Sequence, residues 1–218
     1  MKIQSPNFPE PLTDTNASTD SFSAFLSEDC EMESRRFTDC DFFELHQPAA
    51  EFLSCIFENC SFNDCHLEHT YFRDVAFKGC DLSGAVFSES TFRRVIFEEC
   101  KLLGANFDAA LLEDCLFKNA VADFANFFQT KTQSVHFQSV SLKSAGLQEI
   151  KLKRTIFKSC NLTGADLLHT RLKGMDLTDN ILDGIALSGA YELTGAKVSV
   201  FQAAALARFL GLIVKTDD

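Results

Sequence analysis

The sequence predicts an all-β solenoid, in which the chain turns after every five residues, followed by a short C-terminal α-helix. Of the 32 positions at every fifth residue from 32 to 187, 15 are Phe and 13 are Leu. The residue two places before each of these is usually small, and the other three are mostly polar or glycine. Because this repeat never loses register, one structural unit is predicted to recur along most of the chain.

The five-residue period excludes the two ordinary elements. On an α-helix, five residues advance by about 500°, so successive Phe residues would lie on every face. On a continuous strand, odd spacing would place them on opposite faces in turn. A short extended piece followed by a polar turn puts each small residue and its Phe or Leu on the inside, which indicates a solenoid with a continuous apolar interior.

The nine cysteines obey the same repeat, because all of them occupy the small position. They are Cys30, Cys40, Cys55, Cys60, Cys65, Cys80, Cys100, Cys115 and Cys160. Structural zinc sites usually use closely spaced ligand pairs, and no CxxC occurs. We therefore predict small buried thiols, with no metal, disulfide or cofactor. The N-terminal residues have no signal-peptide pattern, which favours a cytoplasmic protein.

Three segments are predicted. Residues 1–20 form a flexible polar lead-in, residues 21–190 form the solenoid, and residues 191–218 form a helix and a strand that mediate dimerisation. Near residue 21, Phe22 is in register, and Phe25 and Leu26 are placed to cap the open N-terminal end.

The C-terminal segment reads as a capped helix. Ser199 and Gln202 have the spacing of a capping box, and Gly211 stands where a helix commonly ends. Residues 200–210 are rich in Ala and Leu, and residues 212–214 are predicted to form a short strand. The helix is more apolar than a single end contact requires, so we predict a homodimer interface. Its residues are Phe201, Ala205, Leu206, Phe209 and Leu210.

Two stretches strain the repeat without breaking it. Gln47 replaces an inward aromatic residue, and Ala122 and Thr132 are weak fillers. Between the last two, Phe124 and Phe128 fall on outward positions, where they either bind a partner or fold back onto the solenoid.

The repeats CSFND, CDLSG and CNLTG and the tail LTGAKVSVFQAAALARFLGLIV together resemble the quinolone-resistance (Qnr) pentapeptide-repeat proteins. This resemblance implies a right-handed quadrilateral β-helix with four five-residue sides per coil. It also implies dimerisation through the C-terminal helices. The unbroken register departs from many Qnr proteins, which carry two projecting loops.

The resemblance further implies a function. Qnr proteins are thought to imitate duplex DNA and occupy type II topoisomerases, so the expected partner is DNA gyrase, topoisomerase IV or both, and the expected activity is protection from quinolones. Two alternatives stay open: a scaffold with an unrelated protein partner, and a self-protection factor against another topoisomerase poison.

The charge distribution fits a protein partner. The net charge is −11; residues 1–120 contain 22 acidic and 9 basic side chains (−13), and residues 121–218 contain 9 and 11 (+2). We expect no direct nucleic-acid binding and no membrane segment. The predicted topoisomerase-binding residues are Glu58, Glu98, Glu99, Phe124 and Phe128. One basic strip interrupts the pattern; it comprises Lys131, Lys151, Lys153, Arg154, Arg171 and Lys173.

No enzymatic activity is predicted. The sequence contains no HExxH motif, no triad-like arrangement and no glycine-rich phosphate loop. The histidines are all expected on outward positions; they are His46, His66, His69, His136 and His169.

Overall fold

The computed structural model describes residues 3–15 and 31–215, except for the side chain of Leu210. It is a parallel β-solenoid of about seven turns with one short C-terminal helix. From residue 31 to residue 186, paired residues are twenty places apart, as Phe57 is from Phe77 and Phe77 from Phe97; the offset is 22 between Thr13 and Arg35 and 21 between Asp176 and Lys197. The predicted all-β solenoid is therefore confirmed.

Each coil has four sides, which stack into four faces of the solenoid; we call one side of one coil a rung. Faces one and two begin at residues 31 and 36 and carry the strands. The strands are β1 (Thr13–Thr15), β2 (Glu31–Glu33), β3 (Arg35–Thr38), β4 (Glu51–Leu53), β5 (Ile56–Glu58), β6 (Tyr71–Lys78), β7 (Thr91–Glu98), β8 (Leu111–Glu113), β9 (Leu116–Lys118), β10 (Lys131–Gln133), β11 (His136–Gln138), β12 (Lys151–Lys153) and β13 (Ile156–Lys158). On faces three and four, adjacent coils are joined by single β-bridges. Examples are Asp41 to Ser61 on face three and His46 to His66 on face four.

The inward positions form the core as the repeat predicts. On face two the rings stack in one ladder: Phe97 lies 5.1 Å from Phe77 and 4.6 Å from Phe117, measured between ring centroids. Such pairs add about 0.5–1.5 kcal/mol beyond area burial. Ala122 and Thr132 are also buried, whereas Gln47 is half-buried, and the register continues past all three.

The corners explain the polar residues of the repeat. The fourth residue of most rungs has a positive φ, from 52° at Asp114 to 80° at Gly174. Asn, Asp and Gly adopt this left-handed conformation at the lowest cost, so they recur where the chain changes face.

The eight cysteines of the described chain are all buried, as the repeat predicts; Cys30 lies outside it. The Sγ of Cys65 donates to the carbonyl of Phe42 at 2.7 Å, and that of Cys160 to Phe137 at 3.3 Å. Burial raises the pKa of Cys115 to about 12, so this thiol stays protonated at neutral pH. At the small position of the repeat, the S–H group of a cysteine therefore satisfies a backbone carbonyl of the preceding coil.

The N-terminal segment differs from the predicted flexible lead-in. Residues 3–15 lie along the outside of the solenoid, and β1 pairs in parallel with β3. The backbone N–H of Asn7 donates to Asp74 Oδ1 at 2.9 Å, and that of Gln4 to Asp114 Oδ1 at 3.3 Å. The sheet thus begins before residue 21. The predicted cap residues Phe22, Phe25 and Leu26 lie outside the described residues.

The C-terminal helix α1 spans Val200–Leu206 and continues as a 3₁₀ turn over Ala207–Leu210. The predicted capping box is present, and Gly211 ends the turn with a φ of 71°. The predicted strand at 212–214 is wrong: these residues are exposed and form no strand, because no described strand lies beside them to pair with.

Candidate partner-binding surfaces

The three glutamates predicted to bind a topoisomerase do share one side of the solenoid. Glu58 and Glu98 lie on face two, two coils apart, and Glu99 is at the adjoining corner. However, the Nζ of Lys78 lies 3.1 Å from Glu58, and that of Lys118 lies 2.7 Å from Glu98. Face two therefore alternates in charge from coil to coil, and only Glu99 of the three has no ion pair within the described chain.

Three acidic residues without cationic partners in the described chain lie together near its N-terminal end. Glu31, Glu33 and Glu51 are exposed on face one, and Glu31 and Glu51 are direct neighbours on paired strands. Within the described residues none of the three forms an ion pair. We call Glu31, Glu33 and Glu51 the acidic tip. Sequence reasoning missed it, although its one-coil spacing of like charges was a visible signal.

The two predicted aromatic residues lie elsewhere. Phe124, 64 % exposed, occupies the corner between faces three and four, and Phe128 is half-buried on face four. Face four is opposite face two in a four-sided coil, so the structure does not bring these rings together with Glu58, Glu98 and Glu99.

Phe124 has apolar neighbours that the sequence did not single out. Val121 is exposed on face three of the same coil as Phe124, and Leu103 is exposed on face three of the adjacent coil. These three residues form an apolar patch, which could have been found as apolar residues at outward repeat positions.

The basic strip is present as predicted. Lys131, Lys151 and Lys153 project from β10 and β12 on face one, followed by Arg154 at the corner and Arg171 and Lys173 on the next coil. All six are exposed, and none forms an ion pair with a carboxylate of the described chain. Face one is thus acidic at its N-terminal end and basic at its C-terminal end.

One ion pair is largely buried, at the corner between faces one and two. The guanidinium of Arg94 donates to both carboxylate oxygens of Asp74, at 2.6 Å each. Burial alone would raise the pKa of Asp74, but the hydrogen bonds from Arg94 and the Asn7 N–H lower it. The pair fixes the N-terminal segment to the solenoid.

His136 occupies an outward position of the repeat, as predicted, but it is buried. Its exposed fraction is 7 %, and burial lowers its pKa. Its neighbours at the same position of the adjacent coils are the half-buried Leu116 and Ile156. The rings of His46 and His66 stack at 4.3 Å on face four.

The predicted dimer residues divide into two groups. Phe201 is 89 % exposed and Ala205 is exposed. Leu206 is only 8 % exposed and Phe209 is half-buried. Both pack on the solenoid core, so they cover its C-terminal end. The side chain of Leu210 lies outside the described set.

Gln202 has a second role that the sequence did not reveal. Besides its part in the capping box, its Nε2 donates to the carbonyls of Leu177 at 2.8 Å and Asn180 at 2.7 Å. Because those carbonyls belong to the last coil, Gln202 holds α1 across the end of the solenoid.

Family profiles agree with this architecture. "Pentapeptide repeat region" matches residues 50–127 and 90–153, and "Pentapeptide repeats (8 copies)" matches residues 155–191. The chain belongs to the pentapeptide-repeat family. No curated protein matches the sequence.

Several solved pentapeptide-repeat proteins are similar to it. One structure of QnrB1, a plasmid-mediated fluoroquinolone resistance protein, is 23 % identical with a TM-score of 0.43, over 94 % of this chain and 98 % of that one. Another QnrB1 structure is 25 % identical with a TM-score of 0.41, over 85 % and 90 %. HetL, a protein involved in heterocyst differentiation regulation from the cyanobacterium Nostoc sp. strain PCC 7120, is 15 % identical with a TM-score of 0.31, over 84 % and 94 %.

The outer surface of this pentapeptide-repeat protein carries charged rows and an exposed apolar patch. Among the described residues, no group of His, Cys, Asp or Glu is arranged to hold a metal ion. No helix in that part of the chain has the length and apolarity needed to cross a bilayer. Its charged rows, apolar patches and helix end suit recognition of another macromolecule.

Proposed function

We propose that this protein is a DNA-mimicking rod that binds a type II topoisomerase, DNA gyrase or topoisomerase IV, and protects it from quinolones. The observation that carries the proposal is the acidic tip on a rigid solenoid. Its carboxylates form no ion pair within the described chain, and Glu31 and Glu51 lie on adjacent coils, about 4.8 Å apart. The resemblance of the C-terminal tail to Qnr proteins supports the choice of partner.

The acidic residues act by charge complementarity. A topoisomerase groove that binds duplex DNA carries cations for phosphates, and a stiff row of carboxylates can occupy such a groove without ordering a flexible chain. Because Glu58 and Glu98 are already paired with lysines, we expect the acidic tip and Glu99 to contribute more than these two.

A homodimer is part of the proposal. Phe201 and the 84 % exposed Val200 project from α1, and Phe201 lines a recess of about 230 Å³ between α1 and the last coil. Two-fold pairing of these ends would cover Phe201 and place one acidic tip at each end of a long rod. We expect a dimer by sedimentation velocity, and a monomer for Phe201→Glu.

The test is gyrase supercoiling at a fixed ciprofloxacin concentration while the protein is titrated in. The unaltered protein should restore supercoiling, and restoration should weaken steeply with salt. The variant Glu31→Gln/Glu33→Gln/Glu51→Gln should need at least tenfold more protein. The matched variant Glu58→Gln/Glu98→Gln/Glu99→Gln, with the same charge change on face two, should lose less.

Titration of the protein into gyrase without ciprofloxacin separates protection from plain inhibition, because a plain inhibitor would lower supercoiling in that experiment. Equal activity of both triple variants and the unaltered protein would contradict mimicry through either surface. A protein that never restores supercoiling would contradict the function itself.

A scaffold with an unrelated partner is the second candidate, because the exposed patch of Leu103, Val121 and Phe124 suits an apolar partner surface. In that case Phe124→Ser should abolish partner binding while the acidic-tip variant leaves it unchanged. A self-protection factor would behave as proposed, but with another topoisomerase poison in place of ciprofloxacin.

A further inference from the structure

The six cations of the basic strip cluster on one face, and none of them forms an ion pair with a carboxylate of the described chain. In the preceding coils most cations lie next to an acid on the neighbouring coil, as Lys78 does to Glu58 and Lys101 to Asp81. In the strip, the Nζ of Lys153 donates instead to the neutral Gln133 Oε1 at 3.0 Å. The positive charge of the strip is therefore left for something outside the described chain.

The strip also coincides with an interruption of the sheet. Strand β12 pairs with β10 on one side, and no described strand pairs with its other side. Residues 171–173 of the next coil are not a strand. Consequently the backbone on this side of β12 lies at an edge, which in other proteins can accept an extended segment.

A recess of about 510 Å³ lies at this edge. Its walls include the charged residues Lys151, Lys153 and Arg171, and its floor includes the buried Ile150 and the half-buried Leu152. His169 and Glu149 complete the lining, and Glu149 accepts a hydrogen bond from Gln129 Nε2 at 2.9 Å. The recess thus combines three cations with an apolar floor.

The dimensions favour a peptide over a nucleic acid. Lys131, Lys151 and Arg171 occupy the same position of three successive coils, so the strip is about 10 Å long. A duplex laid along the rod would continue onto the acidic coils, and one laid across it would present only a few phosphates. Lys151 and Lys153 are two residues apart on a strand, about 6.6 Å, which is the spacing of alternate side chains in an extended peptide.

We propose that this recess binds a short, extended, acidic segment of a partner protein, with alternate carboxylates on Lys151, Lys153 and Arg171 and an apolar side chain over Leu152. The segment would lie along the free edge of β12. This binding is independent of topoisomerase recognition, because the strip lies several coils away from the acidic tip.

The test uses the full-length protein and fluorescence anisotropy with a labelled peptide in which three glutamates flank a central leucine on each side. Two further probes are the same peptide with lysines in place of the glutamates, and a short DNA duplex. The unaltered protein should bind the glutamate peptide best, and its affinity should fall with added salt.

The variant Lys151→Glu/Lys153→Glu/Arg171→Glu should bind the glutamate peptide at least tenfold more weakly. The matched variant Lys143→Glu/Lys158→Glu/Lys215→Glu, with an equal charge change at exposed positions elsewhere, should stay within about twofold. Both sets of side chains are exposed, so both variants should melt like the unaltered protein.

Three results would overturn the proposal. Absence of peptide binding would mean that the lysines only keep the edge of β12 from pairing with other chains. Equal weakening in the two variants would mean that net charge alone is sensed. Tighter binding of the duplex than of the peptide, lost in the first variant, would assign the strip to nucleic acid.

Discussion

The two halves of the solenoid share an interior pattern but differ outside. In the coils before residue 120, cations and carboxylates alternate between coils, as in Lys78 with Glu58 and Lys118 with Glu98. Beyond residue 120, the strip cations have no such partners in the described chain. The repeat constrains only the inward positions, so the outer surface can change from self-compensated to open for binding without any change of fold.

The interiors of the halves also differ in composition. Stacked Phe ladders fill the earlier coils, and on face two the last ring is Phe157, 4.9 Å from Phe137. In the final coils Leu takes over, and the paired strands on faces one and two end at β12 and β13. There, a side chain replaces a backbone acceptor: the Ser159 N–H donates to Asp179 Oδ2 at 3.2 Å, whereas the Ser139 N–H one coil earlier donates to the Lys158 carbonyl. The C-terminal coils are therefore expected to be the less stable part.

The largest expected effect tests this difference in the core. Phe97→Ala should cost about 3–5 kcal/mol, because it removes a ring stacked on both sides and leaves a cavity. Leu162→Ala, equally inward in a later coil, should cost less, about 2–3 kcal/mol. Urea unfolding followed by circular dichroism measures both. Equal losses would contradict the claim that the aromatic half is the more tightly packed.

Glu98→Ala is the control for the five-residue register, because Glu98 directly follows Phe97 in the sequence but faces solvent. Its ion pair with Lys118 is partly exposed, so its loss should cost under about 1 kcal/mol. A loss as large as that of Phe97→Ala would contradict the register.

A smaller effect compares the same corner position in the two halves. Asp74→Asn should cost about 2 kcal/mol at neutral pH, because Arg94 loses its carboxylate partner. Since the folded-state pKa of Asp74 is lowered, its contribution is present above the unfolded pKa of about 3.9 and is lost as pH falls further. The difference between variant and unaltered protein should therefore shrink in acid.

Arg154 occupies the same corner four coils beyond Asp74, without an ion pair in the described chain. Arg154→Gln should change stability by less than about 0.5 kcal/mol at any pH. Thermal melts between acid and neutral pH provide the comparison, and similar losses for the two variants would show that the corner pair has no special role.

The smallest effect concerns the C-terminal end. Gln202→Ala removes two hydrogen bonds to the last coil and half of the capping box, and should cost about 1 kcal/mol. The loss should appear as faster amide exchange in α1 and the last coil, with the earlier coils unchanged. Gln129→Ala, at an exposed corner, is the control. Uniformly faster exchange would mean that the two halves unfold as one unit.

Most of the fold could be predicted because the repeat is local. The positions of Phe97, Cys115 and Ala122 follow from counting by five, and each is buried as expected. The exceptions are at the ends of the repeat. The N-terminal segment reads as polar and loose, yet Asn7 contacts Asp74, which is 67 residues away. A predicted strand at 212–214 did not form, because strand formation needs a neighbour that sequence pattern does not supply.

The sequence by itself determined the solenoid, its register, its buried thiols and the existence of a basic strip, because each depends on which side of a five-residue unit a residue occupies. Only the tertiary structure decided which charges remain free. Residues twenty apart become neighbours on adjacent coils, so Lys78 and Lys118 offset Glu58 and Glu98, while no cation of the described residues pairs with Glu31 or Glu51. Charge compensation depends on distances of a few ångströms between coils, and the linear pattern does not contain these distances.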